Sequence, residues 1–212
     1  MTNRIITIAQ QKGGTGKTTI SANLALQFSG DGTATALLDT DPQGSVGQWY
    51  MKRQEKYPDK SHDLTFKTAS AWGARIEARD LVKQHQLVVI DTPPKMGMDG
   101  RPAIEVADLV IVPISASALD VWATEPTVEL ARMEQKPILM VLNRISARTR
   151  IAGEIRKFVE KFDCQIASCQ LGNRVHFAET MADGLGVSER RPSSRAAQEF
   201  RSLTNEIKTV LG

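Results

Sequence analysis

The stretch of sequence that decides the fold is Gln10-Gln11-Lys12-Gly13-Gly14-Thr15-Gly16-Lys17-Thr18-Thr19. It follows the apolar run Arg4-Ile-Ile-Thr-Ile-Ala9, which predicts a buried strand, and it leads into a stretch of helical periodicity over 18–29. Glycines let the backbone amides of a turn point inward without a Cβ in the way, and the N-terminus of a helix adds the positive end of its dipole. The pattern therefore predicts a triphosphate site between the strand and the helix.

Two side chains of this stretch are expected to contribute chemistry. The ammonium group of Lys17 is expected to reach the β- and γ-phosphates, and the hydroxyl group of Thr18 to hold Mg²⁺. The alternative is a loose glycine turn with a lysine on the surface. Further phosphate contacts are expected from the rest of the loop, namely Lys12, Gly13, Gly14, Thr15, Gly16 and Thr19.

Four more apolar runs lie further along the chain and alternate with stretches of helical periodicity. The runs are nearly continuous, which is typical of strands that are covered on both faces. This order predicts an α/β fold with a doubly wound, mostly parallel sheet flanked by helices. The predicted strands are 35–38, 87–90, 109–112 and 138–142, and the further predicted helices are one after Gly73, 119–133, 151–162 and 194–211.

The composition is that of an ordinary globular chain, with 212 residues, 41% hydrophobic and 24% charged residues and a net charge of +3. No repeat or long linker divides the chain, so we expect a single domain over 1–212. The cysteines Cys164 and Cys169 are too few for a disulfide framework. No apolar run approaches the ~20 residues that span a bilayer, and no cleavable signal pattern begins the chain. We expect a cytoplasmic protein.

Positive charge is concentrated in the last third of the chain. From Ala131 onward there are 14 Lys and Arg against 9 Asp and Glu, whereas the first 130 residues hold 13 against 15. The densest part runs from Arg144 to Lys161. This density is explained either by a solvated helix face or by a surface for an anion or a nucleic acid.

The glycine stretch resembles a known motif. A phosphate loop of the usual type has Gly at position 11, whereas this chain has Gln11 and an additional lysine, Lys12. Lys-Gly-Gly-x-Gly-Lys-Thr-Thr is similar to the deviant Walker A motif of the ParA/MinD family of P-loop ATPases. In that family the first lysine reaches across a face-to-face dimer to the partner's phosphates. The resemblance implies a homodimer formed with ATP, in which Lys12 and Lys17 are both catalytic.

Two further segments resemble the same family. Asp39-Thr40-Asp41-Pro42-Gln43-Gly44 is similar to its Asp-x-Asp-Pro-Gln-Gly signature, which implies that Asp39 orders the Mg²⁺ shell and that Asp41 lies near the attacking water. In isolation, either aspartate is better explained as a turn residue or helix cap, but its place one βαβ unit beyond the glycine loop favours the role at the Mg²⁺ site. The run Leu87-Val-Val-Ile-Asp91 resembles Walker B, which implies that Asp91 meets Mg²⁺, and residues 92–100 resemble the adjoining switch loop.

The resemblance extends into the C-terminal third. Asn143 matches the position that contacts the adenine edge, although a plain strand-end asparagine is the alternative. The segments 171–180, 184–187 and 192–197 look like the corresponding part of ParA proteins. In the family, basic residues of this portion form a DNA surface. The best matches here are Arg156, Lys157 and Arg174, with Arg190, Arg191 and Arg195 as further candidates.

The resemblance implies a DNA-binding positioning ATPase that moves a plasmid, a chromosome region or a protein cargo. It implies that the protein dimerises with ATP and that the dimer binds DNA without sequence preference, so that the ATP-bound form lies on the nucleoid. It also implies that a ParB-like or other cargo-adaptor protein stimulates hydrolysis. The first strand begins at Arg4, so we expect no N-terminal helix-turn-helix domain and no operator binding.

Two alternative functions are a membrane-surface ATPase and, from another class, a metabolic enzyme. A MinD-like membrane ATPase needs a basic amphipathic C-terminal helix, and helix 194–211 has Arg195, Arg201 and Lys208 but also two glutamates and a narrow apolar face, so packing on its own core is favoured. A metabolic P-loop enzyme needs a substrate pocket or bridging cysteines, for which the sequence gives no sign. Trp49, Trp72 and Trp122 are expected in the core or at a sheet edge, with a dimer face as the alternative.

Overall fold

The computed structural model describes residues 3–61, 63–94, 100–115, 118–146, 160, 162 and 164–212. Within these residues, seven strands form one parallel sheet in the order β3-β2-β4-β1-β5-β6-β7. All the strands therefore end at the same edge of the sheet. The strands are β1 (Arg4–Ile8), β2 (Thr35–Asp39), β3 (Leu64–Thr68), β4 (Leu87–Asp91), β5 (Leu109–Ser115), β6 (Ile138–Asn143) and β7 (Gln165–Ile166).

Helices cover both faces of the sheet, because successive strand residues pack on opposite sides. In β4, Val89 packs in the cluster that holds α1 and the C-terminal helix, whereas Val88 and Ile90 pack against α4. This arrangement is the predicted doubly wound α/β fold. The helices are α1 (Lys17–Gly30), α2 (Ser45–Lys56), α3 (Pro58–Ser61), α4 (Ala74–Gln84), α5 (Arg101–Glu105), α6 (Ala118–Trp122), α7 (Glu125–Met133), α8 (Val175–Ala182), α9 (Val187–Arg190) and α10 (Arg195–Leu211).

All five predicted strands are present, but β3 and β7 were not predicted. The expected helix over 119–133 is instead two helices, α6 and α7, with a break that precedes Pro126 in the first turn of α7. Proline lacks the N–H that a continuous helix would need there. Most of the predicted helix 151–162 lies outside the described residues.

The C-terminal helix α10 packs on the core of its own chain. Ser194 caps its N-terminus by accepting a hydrogen bond from the backbone N–H of Ala197. Phe200, Leu203 and Ile207 are fully buried in the cluster with α1, whereas Val210 in the last turn is 36% exposed. In the part of the chain that the structure describes, no helix is long and apolar enough to cross a membrane.

The register of the central strands places the acidic residues together. Asp91 at the end of β4 lies beside Asp39 at the end of β2 and beside Ile8 at the end of β1. The glycine loop begins two residues after Ile8, at Gln10. The chain thus brings the loop and both carboxylates to the edge where doubly wound sheets bind ligands.

Candidate nucleotide site

Glycine is required in the loop by the backbone conformation and by a close neighbour. Gly14 and Gly16 have φ angles of 78° and 93°, in the left-handed region that side chains disfavour. A Cβ on Gly16 would lie 2.4 Å from Nδ2 of Asn143. The amide of Asn143 donates a hydrogen bond to the carbonyl of Thr15 at 2.7 Å, so the end of β6 holds the loop in place.

Lys17 is the first residue of α1, and its side chain is buried. Burial lowers the pKa of Lys17, and the charges of Asp91 and Asp41 partly oppose that effect. A buried cation at the N-terminus of a helix creates a strongly attractive position for an anion. This is the arrangement expected of a phosphate-binding lysine, and it disagrees with the alternative of a lysine on the surface.

Asp91 is fully buried and accepts two hydrogen bonds from α1. Thr18 Oγ1 donates to one carboxylate oxygen at 2.9 Å, and Ser21 Oγ donates to the other at 2.8 Å. Burial raises the pKa of Asp91 to about 7, although the two hydroxyl groups lower it and Asp39 adds to the rise. Ser21 was not predicted, yet it lies one turn after Thr18 on the same face of α1, which is the signal that could have identified it.

Asp39 and Asp41 organise the start of α2. Asp39 is buried and accepts hydrogen bonds from the backbone N–H of Asp41 at 3.0 Å and of Gly47 at 3.2 Å. Burial raises the pKa of Asp39 despite these bonds. Asp41 accepts a hydrogen bond from the N–H of Gln43 at 2.9 Å, so it also has the turn-forming role considered for it in isolation.

The start of the loop is fastened to α6 and α7 by three contacts. The ammonium group of Lys12 is paired with Asp120. Gln10 Nε2 donates to Thr124 Oγ1 at 3.0 Å, and the N–H of Gln11 donates to Thr127 Oγ1 at 3.3 Å. These partners could not be predicted from the sequence, because they are more than 100 residues away along the chain.

A cavity of about 140 Å³ lies beside the loop, on the side of Gly16 and Thr19. Asn143 lines it, and its side-chain oxygen accepts a hydrogen bond from the N–H of Arg144 at 2.9 Å. Arg174 also lines the cavity, and its guanidinium group is paired with Glu199. The cavity is thus lined both by Asn143, which was predicted to contact adenine, and by Arg174, which was predicted to bind DNA.

The other predicted DNA residues that the structure describes all lie near carboxylates. Arg156 and Lys157 lie outside the described residues. Arg190 is paired with Asp183, and Arg191 lies 3.9 Å from Glu179. Arg195 lies 3.5 Å from Glu199 and is largely exposed. In the part of the chain that is described, carboxylates therefore compensate much of the predicted basic surface.

The three tryptophans differ in burial. Trp49 is buried, as expected, and donates a hydrogen bond to the carbonyl of Leu185. Trp72 and Trp122 are 77% and 63% exposed, so the expectation of core or edge packing is wrong for both. Cys164 and Cys169 are half-buried and are not joined in a disulfide.

Comparison with known proteins identifies the family. Residues 6–187 match the model of the CobQ/CobB/MinD/ParA nucleotide binding domain. This chain belongs to that family. The match spans the glycine loop and both aspartate segments, so the resemblance drawn from the motifs is confirmed.

Relatives in the family match nearly the whole chain. "Maintenance of carboxysome distribution protein A" of Halothiobacillus neapolitanus is 26% identical over 95% of this chain and 95% of its own. The chromosome-partitioning ATPase Soj of Thermus thermophilus is 27% identical over 96% of this chain and 95% of its own. The septum site-determining protein MinD of Pyrococcus horikoshii, solved with Mg-ADP, has a TM-score of 0.84 at 18% identity over 99% of this chain and 98% of its own, which shows the common fold.

Proposed function

We propose that this protein is a Mg²⁺-dependent ATPase that dimerises with ATP, binds DNA non-specifically and positions a plasmid, a chromosome region or a protein cargo. The observation that carries the proposal is the buried Lys17 at the start of α1, next to the Thr18–Asp91 hydrogen bond. The names of the carboxysome-distribution and chromosome-partitioning relatives support a positioning role, since both match 95% or more of this chain.

The residues at the site fit a nucleoside triphosphate with Mg²⁺. The amides of residues 13–19 and the ammonium group of Lys17 suit phosphate oxygens. A Cβ at Gly16 would collide with the side chain of Asn143, so the shape of the loop depends on this glycine. Thr18, Asp39 and Asp91 offer the oxygen ligands that Mg²⁺ prefers, directly or through water. Bound Mg²⁺ would neutralise charge on the phosphates. Ionisation of Asp91, whose pKa is near 7, is favoured by such a cation.

Hydrolysis is assigned to Asp41 and to Lys12. Asp41 follows β2 at the edge of the sheet and would orient the attacking water. Lys12 would stabilise the charge of the transferring phosphoryl group in the partner subunit. Because Lys12 is paired with Asp120 in its own chain, we expect a monomer to turn over slowly.

The DNA surface is assigned to the basic residues of the C-terminal third, with Arg156 and Lys157 as the first candidates. A dimer doubles the number of phosphate contacts. Each contact contributes about 0.9 to the slope of log affinity against log salt concentration, so separation of the subunits would release the DNA. A partner protein that stimulates hydrolysis would separate the subunits and release them from the nucleoid into the cytoplasm. It would therefore determine how long this protein stays on the DNA.

The test is binding to non-specific duplex DNA at several salt concentrations, with ATP, with ADP and without nucleotide. Lys17→Ala is the control, because it is expected to lose nucleotide binding. Binding that needs ATP and falls steeply with salt supports the proposal. Dimerisation with ATP but no DNA binding contradicts the DNA role. Binding to liposomes would then test the alternative of a membrane surface. The apolar face of α10 is buried in the core, which argues against that alternative.

A further inference from the structure

We propose that Arg174, held by Glu199, is a nucleoside-positioning residue that helps to bind ATP, and not a DNA contact. This inference rests on the proposed nucleotide site. It assigns a role in the cavity beside the glycine loop to a residue for which the family resemblance implies DNA binding. The assignment follows from the position of Arg174, from the way it is fixed and from its charge balance.

The position of Arg174 is set by the cavity beside the loop. Thr18 and Ser21 turn toward Asp91 on one side of the start of α1, and this is the side assigned to Mg²⁺. Gly16 and Thr19 border the cavity on the other side. A nucleotide whose phosphates lie in the loop therefore has the cavity as the space for its nucleoside part.

The lining of this cavity suits a purine nucleoside. Ile20, Leu171 and Phe177 give apolar surface for the flat base. Asn143 and Arg174 give polar groups that can meet its edge or, for a guanidinium group, stack on its face. A few fixed polar groups in a mainly apolar wall are the usual means of orienting a small ligand.

Arg174 is held in one orientation from two sides. Its Nε donates to one carboxylate oxygen of Glu199 at 2.9 Å, and its Nη2 donates to the other oxygen. The same carboxylate accepts a hydrogen bond from the N–H of Gly172 at 3.0 Å. A Cβ on Gly172 would lie 2.9 Å from the guanidinium group, so only glycine leaves room for this arrangement. A fixed guanidinium group loses little entropy when a ligand binds.

The charge balance of the pair disfavours a DNA role. Burial would raise the pKa of Glu199, but the hydrogen bonds from Arg174 and Gly172 outweigh burial and hold the pKa of that carboxyl below its usual range. Glu199 is thus ionised at neutral pH and neutralises Arg174. A neutralised arginine contributes little to counterion release from DNA, whereas it can still stack and donate hydrogen bonds in a cavity.

The test compares the affinities of Arg174→Ala and wild type for Mg-ATP and for Mg-tripolyphosphate by calorimetry. We expect ATP affinity to fall about tenfold, the equivalent of ~1.4 kcal/mol, with tripolyphosphate affinity unchanged. Glu199→Gln, which frees the guanidinium group without removing it, should shift ATP affinity in the same direction. Arg195→Ala is the matched control, because Arg195 also faces Glu199 but does not line this cavity.

Three results of the affinity measurements would overturn the assignment. The first is an unchanged ATP affinity in Arg174→Ala. The second is an equal loss of ATP and tripolyphosphate affinity in that variant, which would indicate a structural role. The third is a loss of ATP affinity in Arg195→Ala as large as that in Arg174→Ala. DNA binding by Arg174→Ala at saturating ATP should match wild type, and a selective loss there would return Arg174 to the DNA surface. Failure of the proposed function is distinguishable, since the wild-type chain would then bind neither ATP nor tripolyphosphate.

Discussion

The ammonium group of Lys12 is paired with the carboxylate of Asp120 within one subunit. Asp120 is buried, whereas the side chain of Lys12 is 40% exposed. To reach a second subunit, Lys12 has to give up its ion pair with this buried carboxylate. The pair therefore opposes dimerisation in the proposed cycle, and ATP has to supply contacts that compensate for its loss.

Asp120→Asn tests this opposition, because it keeps the shape of the side chain and removes its charge. We expect the association constant of the ATP-bound dimer to rise about fivefold, the equivalent of ~1 kcal/mol for a partly exposed ion pair. Sedimentation velocity at several protein concentrations measures the constant. Asp80→Asn is the control, since Asp80 pairs with Lys83 on the exposed face of α4. The same gain in a Lys12→Ala background would show that Lys12 is not involved.

Asp41→Ala is expected to separate binding from hydrolysis. The variant keeps the glycine loop and Lys17, so it should bind ATP with nearly wild-type affinity. Loss of the group that orients water should slow hydrolysis by about 100-fold or more. The dimer should then persist with ATP, and it should be seen by sedimentation after wild type has returned to monomer. A variant that hydrolyses ATP at the wild-type rate would remove Asp41 from the catalytic machinery.

The buried carboxyl of Asp91 makes stability depend on pH in the nucleotide-free and metal-free protein. Its pKa is about 7 in the folded chain against 3.8 for the ordinary group, so the folded state binds the proton more tightly than the unfolded state. The free energy of unfolding should therefore fall as pH rises through this interval and level off above it.

Urea unfolding from pH 5 to 8 measures this dependence, with Asp91→Asn for comparison. The amide does not titrate, so the variant should lose much of the decline between pH 5 and 7. Parallel pH profiles of the two proteins would contradict the burial effect. Addition of Mg-ATP should also flatten the wild-type profile, because a nearby cation favours the ionised carboxylate.

Gly16→Ala is expected to destabilise the chain more than Gly14→Ala. Both positions have positive φ, which costs an alanine roughly 1–2 kcal/mol. Only at Gly16 does the new methyl group also meet Asn143, and such overpacking adds about 1–3 kcal/mol. Urea unfolding without nucleotide measures both variants. Equal losses would mean that the Asn143 side chain moves aside without cost.

The sequence predicts the centre of the fold better than its edges. The strands β1, β2, β4, β5 and β6 are recognisable because both faces are covered and their apolar runs are continuous. In β3, burial declines from Leu64 to an exposed end, and β7 has only two residues, so neither produces such a run. The break between α6 and α7 was missed because the apolar periodicity continues across it.

The site shows the same division between local and distant information. Lys17, Thr18 and Asp91 are identified by motifs that recur with fixed spacing, and the structure brings them together. Asp120 and Glu199 do not belong to any recognisable motif. Asp120 pairs with Lys12, which is 108 positions away, and Glu199 pairs with Arg174, which is 25 positions away. Tertiary packing alone decides such contacts, which is also why the pairing of Arg174 with Glu199 could not be predicted from the sequence.

The exposed indole of Trp122 gives the molecule an optical reporter. It lies two residues after Asp120 on α6, while Trp49 is shielded in the core. In a Trp72→Phe background, Trp122 would be the one solvent-exposed indole among the described residues. A shift of its fluorescence to shorter wavelength on adding ATP, tracked by stopped flow, would time the closing of the dimer in real time without any label.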